Sequence, residues 1–247
     1  MIKFLVPLVL CGAANAALIY GTNQILNPGG ELGIGSLDNS TVAVPDWTAS
    51  GSFTTTQYTT HLNSFLTFTD PGPSDRGLNF FSGGIDLYGE GDLSIGTQIL
   101  DVSNKASDID TGLVPFSLSA WLGGYSSQTD QAKFSAIFET ASSTVLGTTT
   151  LGPVTPAERL NTTSLLFQSG GGFIPANTRD IVFQITMDSV IGSHNDGYAD
   201  NLSFVASAPA GHTGGGGGAV PEPASLGTLA IGLGGIALSR IRRRSRA

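Results

Sequence analysis

Through the middle of the chain, apolar residues recur at every second position in short runs. Ile181, Phe183, Ile185 and Met187 share one phase, and Phe134, Ala136 and Phe138 alternate with Lys133 and Ser135. Leu118, Ala120 and Leu122 alternate with Ser117, Ser119 and Trp121, while Ile95, Thr97 and Ile99 lead to Asp101. A period of two sends alternate side chains to opposite faces, so each run predicts a strand with one face toward a core. Between the runs lie Gly83-Gly84, Gly123-Gly124, Gly170-Gly171-Gly172 and Asn195-Asp196-Gly197, residue types that tolerate the positive φ of tight turns. Such turns predict antiparallel neighbours. The span 17–208 shows no internal repeat, and a length of roughly 190 residues suffices for one substantial core. The expected fold class is all-β, an antiparallel β-sandwich or jelly roll.

The two ends break this pattern. Met1-Ile2-Lys3 is followed by apolar residues from Phe4 to Leu10, interrupted only by Pro7, and then by Ala14-Asn15-Ala16. Charge, apolar run and small residues in that order predict a secretory signal peptide over 1–16, cut before Ala17. Cys11 is the only cysteine and leaves with it, so the mature chain has neither a disulfide nor a thiolate nucleophile or ligand. At the other end a linker over 209–219 contains the run Gly214–Gly218, a composition too flexible to pack. Val220-Pro221-Glu222-Pro223 follows, then an apolar stretch from Ala224 to Leu238, then Arg240, Arg242, Arg243, Arg244 and Arg246. About 15 apolar and small residues predict a short transmembrane helix, below the ~20 of a comfortable span. The arginine cluster holds its end on the cytoplasmic side and leaves the main domain outside.

The tripartite order of 220–247 resembles the PEP-CTERM sorting signal of Gram-negative bacteria. That resemblance implies a substrate of exosortase, a membrane protease that removes such tails and releases or attaches the exported domain, often in species that make exopolysaccharide. It further implies passage through the general secretion machinery, transient membrane insertion through the C-terminal helix, and residence at the cell surface or in the extracellular matrix.

Losing both ends changes the electrostatics. The core keeps five basic residues, Arg76, Lys105, Lys133, Arg159 and Arg179, against eighteen acidic ones, a net charge of −13. Such a surface repels phosphate backbones and anionic lipid, which excludes nucleic acid as a partner and favours cations or neutral ligands.

Asn27-Pro28-Gly29-Gly30-Glu31, Trp47 and Asp200-Asn201-Leu202-Ser203-Phe204 are similar to the opening and closing strands of galactose-binding-like jelly rolls, a group that includes many carbohydrate-binding modules. The chain departs from that pattern at Gly30, where a large apolar residue is frequent. The resemblance implies that the first and last strands meet and that Glu31 and Asp200 share a structural calcium ion, a cation that takes about six to eight oxygen ligands. Read without the resemblance, Glu31 is equally a solvated loop residue and Asp200 a turn acceptor for a backbone N–H.

Catalytic signals are sparse. The core holds only His61 and His194 as histidines and no Gly-x-Ser-x-Gly elbow, and it has no paired histidines at zinc-ligand spacing. No enzyme is therefore expected. A glycoside hydrolase, needing two carboxylates across a cleft, is the weakest alternative. Sugar binding needs an aromatic ring for the apolar C–H face and Asp, Asn or Gln for the hydroxyls. The candidates are Trp47, Tyr125 beside Gln128, and Tyr198 with Asn195 and Asp196. Trp47 and Trp121 compete for a core role, since large aromatics fill sandwich interiors. Two functions remain open: a module that binds a carbohydrate such as exopolysaccharide, and a structural surface protein without a ligand.

Overall fold

Alternation does become strands. A computed structural model of the chain describes residues 17–58, 65–85, 93–190 and 192–211. The signal peptide, His61, most of the glycine linker and the whole sorting tail, from Val220 to the arginine cluster, lie outside those residues. Contacts divide the chain into Met1–Ala210 and Gly211–Ala247, and the architecture below is that of the first unit.

In chain order the strands are β1 (Thr48–Ser50), β2 (Thr54–Gln57), β3 (Asn79–Ile85), β4 (Leu93–Asp101), β5 (Pro115–Gly124), β6 (Gln131–Glu139), β7 (Val145–Leu151), β8 (Ser164–Phe173), β9 (Asp180–Asp188) and β10 (His194–Ala206). One 3-10 turn, Ser103–Lys105, runs into a single α-helical turn at Ala106–Ile109 between β4 and β5. The strands form two five-stranded sheets, a front sheet ordered β2-β3-β10-β5-β8 and a back sheet ordered β1-β4-β9-β6-β7. All named strand pairs are antiparallel. The expected all-β sandwich is the observed architecture.

The core lies between the sheets, where Phe81, Leu118, Ala120, Leu122 and Phe204 of the front sheet meet Phe134, Ala136, Phe183, Ile185 and Met187 of the back sheet. β9 shows the predicted alternation, with Ile181, Phe183, Ile185 and Met187 all buried. β4 does not follow its predicted phase. Ile99 is 54% exposed, and Ser94, Gly96, Gln98 and Leu100 point inward instead. The cause is Phe53: its ring occupies the space that a Cβ on Gly96 would fill. A bulky side chain from another segment thus takes the inner face of β4, and the strand's own isoleucines turn outward.

The outer face of the front sheet carries a second, smaller apolar cluster of Tyr58, Leu66, Phe80, Leu165 and Tyr198. Phe65, Trp121 and Tyr125 pack around its margin. Part of its cover comes from the segment preceding β3, which Arg76 fastens by donating to the carbonyls of Thr67, Asp70 and Pro73. The same guanidinium sits 5.0 Å from the Tyr58 ring centre, and Leu165 N–H donates to Pro71 C=O at 2.9 Å.

Candidate functional site

At the end of β5 the front sheet opens into a loop whose shape is set by one buried cation. A side chain at Gly124 would collide with the Asp196 carbonyl, 2.7 Å from its Cβ, and crowd Arg159 Nη2 at 3.3 Å; glycine lets β5, β10 and the arginine close together. Beyond it the chain reverses at Ser126, with φ 44°. Arg159 is only 2% exposed. Its Nη1 donates to the carbonyls of Gly124 and Ser126 at 2.8 Å and of Thr162 at 2.7 Å, and its Nη2 to that of Gln128 at 3.0 Å. Backbone oxygens rather than a carboxylate thus share its charge, and the loop bearing Tyr125 and Gln128 is held from beneath. Asp130, also buried, accepts the N–H of Val190 on Oδ1 at 2.7 Å and that of Asp196 on Oδ2 at 3.0 Å, tying the start of β10 to the start of β6.

These anchors frame a cleft of about 410 Å³. Tyr125 and Gln128 line one part of it, Gly192, Ser193, His194 and Asp196 another, and Leu37, Asp38 and Phe65 complete the wall. The His194 ring meets Phe65 edge-on at 5.7 Å. The Gln128 Oε1 is buried and has no hydrogen-bond partner among the described residues. The two carboxyls differ sharply. Asp196 accepts the Tyr198 O–H at 2.6 Å, and burial pushes its pKa up to about 6 against opposing pulls from Tyr198, His194 and Arg159. Asp38 is exposed, and hydrogen bonds from Ser40 and Ser36 hold its pKa down to about 2.

Of the predicted ligand residues, Tyr125 and Asp196 come together in this cleft. Trp47, Asn195 and Tyr198 do not line it. Trp47 is a core residue, 5.4 Å from Phe81 and 6.1 Å from Phe53, with its indole N–H donating to the Asn27 carbonyl at 3.3 Å. Tyr198 is fully buried beneath the outer cluster, so its ring offers no face to a sugar. Asn195 is buried and donates to the Met187 carbonyl at 3.0 Å. Tyr198 and Asn195 therefore act one step behind the surface, Tyr198 by orienting the Asp196 carboxyl. Sequence reasoning missed Asp38, Phe65 and Arg159, which come from three distant segments with no shared local pattern.

Of the proposed calcium pair, Glu31 precedes β1 and Asp200 lies on β10, the central strand of the front sheet. Glu31 accepts the N–H groups of Leu78 and Asn79 at 3.0 and 2.9 Å, while buried Asp200 accepts the Tyr58 O–H and the Asn201 N–H, both at 2.7 Å. Burial, assisted by Glu31's charge, raises the Asp200 pKa to about 7. Among the described residues no three His, Cys, Asp or Glu side chains are grouped for a metal. Both carboxylates suit calcium in donor type, and each engaged oxygen keeps a second lone pair.

Comparison with known proteins adds the following. Residues 219–244 match the PEP-CTERM protein-sorting motif. That motif implies export and exosortase sorting to the cell surface. No curated protein matches the chain. Similar solved structures include the enzymatically active domain of bacteriophage CBA120 tailspike protein 4, at 14% identity and TM-score 0.46, over 74% of this chain and 21% of that one. TmCBM61 in complex with β-1,4-galactotriose gives 14% identity and TM-score 0.43, over 74% and 97%. The CBM22-1 xylan-binding domain of Paenibacillus barcinonensis Xyn10C gives 9% identity and TM-score 0.37, over 71% and 94%. These distant likenesses leave the ligand to be argued from the cleft.

Proposed function

We propose that the β-sandwich is a carbohydrate-binding domain of an exosortase-sorted surface protein, and that an extracellular polysaccharide seats in the Tyr125–Asp196 cleft. One observation carries the reading: half-buried Tyr125, the amide-bearing Gln128 and the buried carboxyl of Asp196 line one recess. A sugar presents an apolar C–H face to a ring and hydroxyls to acceptors, so those groups match it in kind. Tyr125 supplies the face; the Gln128 side chain and the Asp196 carboxyl supply the polar contacts to hydroxyls.

The test is affinity electrophoresis of the full chain through gels containing β-1,4-galactan, xylan, glucomannan or the host's exopolysaccharide. Retardation by at least one polymer is expected, and Tyr125→Ala should weaken it about tenfold, the equivalent of ~1.4 kcal/mol. A chain retarded by none is a structural surface protein without a ligand. The glycosidase reading rests on Asp38 and Asp196 lining one cleft with pKa values displaced in opposite directions, a pattern that separates acid from base. Release of reducing ends, abolished by Asp196→Asn, would establish it over simple binding.

A further inference from the structure

Among the exposed apolar side chains, one aromatic pair lies on the same face as the cleft and stands apart from it. Trp121 on β5 and Phe167 on β8 are directly opposite in the antiparallel register. Their ring centres are 5.7 Å apart at an interplanar angle of 61°. Trp121 is half-buried against the outer cluster, and Phe167 is 54% exposed. The next same-face pairs along these strands are Ser119 with Ser169 and Ser117 with Gly171, small residues that leave the rings standing above a low floor. β8 is the edge strand of the front sheet, and among the described residues none closes over Phe167, which is left 54% exposed.

Two features identify the occupant. The first is charge: neither β5 nor β8 contains a single Asp, Glu, Lys or Arg, in a core that carries eighteen acids and five bases. The surface recognises a neutral partner. The second is continuity with the cleft. Tyr125 and Trp121 border the same outer cluster, and the four residue steps from one to the other place them roughly 13 Å apart along the chain direction. That separation is longer than one sugar ring.

We infer that Trp121 and Phe167 form a second subsite, so that the ligand is an uncharged linear polysaccharide running from the Tyr125 cleft along β5 and β8. This rests on the carbohydrate reading of the cleft and extends it from a single sugar to a chain of several. Ring faces stack on the sugars' C–H sides, and the serine hydroxyls on the floor exchange hydrogen bonds with their hydroxyls.

The experiment is calorimetric titration of the full chain, wild type, Tyr125→Ala and Phe167→Ala. The probes are the disaccharide and hexasaccharide of whichever polymer retards the protein, with alginate as an anionic control. Phe167 is largely solvent-exposed, so its truncation leaves the fold intact. Phe167→Ala is expected to weaken the hexasaccharide about tenfold, or ~1.4 kcal/mol, while leaving disaccharide binding unchanged. Tyr125→Ala should weaken both. Loss in Tyr125→Ala without loss in Phe167→Ala overturns the second subsite alone. Binding of no polysaccharide by the wild type overturns the cleft reading and this one with it. Alginate bound as tightly as the neutral polymer overturns the neutral class. A wild-type dimer in sedimentation that Phe167→Ala dissociates assigns the pair to self-association instead.

Discussion

Replacing Arg159 with methionine tests whether one buried guanidinium organises the cleft. The side chain is 2% exposed and donates four hydrogen bonds of 2.7 to 3.0 Å to backbone carbonyls of two separate segments. A hydrogen bond involving a charged group is worth about 1.5 to 3 kcal/mol net. Against this stands the desolvation of a cation, several kcal/mol in a real protein; burial accordingly lowers the Arg159 pKa, and its Nε finds no acceptor among the described residues. The intact arrangement is therefore only modestly favourable. Truncation is not its mirror image, because it strips this donor from one buried and three part-buried carbonyls, at about 1 to 3 kcal/mol for each that water cannot reach. Methionine refills most of the volume, and water entering from the cleft relieves the carbonyls nearest the opening.

Arg159→Met should thus destabilise the domain by about 4 kcal/mol, and Arg159→Lys, whose three donors radiate from one nitrogen, by about 2 kcal/mol. Urea unfolding followed by tryptophan fluorescence measures both, with the midpoint falling and the slope unchanged. The variant also removes the cation that pulls the Asp196 pKa down, so that carboxyl should titrate higher in Arg159→Met than in the wild type, which a carboxyl-resolved NMR titration reads directly. A loss below about 1 kcal/mol for methionine would refute the reasoning, since removing a charged donor from one buried and three part-buried carbonyls costs more than that.

Acidity should stabilise the domain. Asp196 and Asp200 are raised by burial to about 6 and about 7, whereas both ionise near ~3.9 when unfolded. Between those limits the native state binds more protons than the unfolded one, so stability falls as pH rises from about 4 to 7 and then levels. Urea midpoints measured in EDTA should decrease across that window, and Asp200→Asn should flatten its upper part; a midpoint that climbs with pH would contradict the assignment. The exposed carboxylates lowered by hydrogen bonding, among them Asp38 and Asp110, act below that window. For the Glu31–Asp200 pair, calcium binding predicts that EDTA lowers the melting temperature and added calcium restores it. Unchanged melting would leave Glu31 as an anchor for the backbone at Leu78 and Asn79.

How much of this was legible depended on whether the signal was local. Period-two runs located β5, β6 and β9 because each strand sees a core on one side and little on the other, a condition written into neighbouring residues. β4 formed where expected but in the opposite phase, because the ring filling its inner face belongs to Phe53, some forty positions earlier. Trp47 was open between a ligand role and a core role, and Phe81, packed edge-on against it from β3, assigns it to the core. Tyr198 has the phase of an exposed residue on β10 and becomes buried only because Leu66 and its neighbours fold across the outer face. In each case the deciding contact is long-range, and no window of the sequence contains both partners.

The same reasoning explains why Trp121 went unclaimed although its position was readable. It alternates with Ser117 and Ser119 against the buried Leu118, Ala120 and Leu122, so the local pattern already put it on the outer face. The general tendency of tryptophan toward sandwich interiors argued the other way and prevailed. For a strand residue the phase carries more information than the residue type, since facing the core is a property of position and the pleat admits no intermediate orientation. A large aromatic in the polar phase, on strands without charge, is then the feature to follow. It is a costly residue to leave half in water, and a ligand that covers it removes that cost.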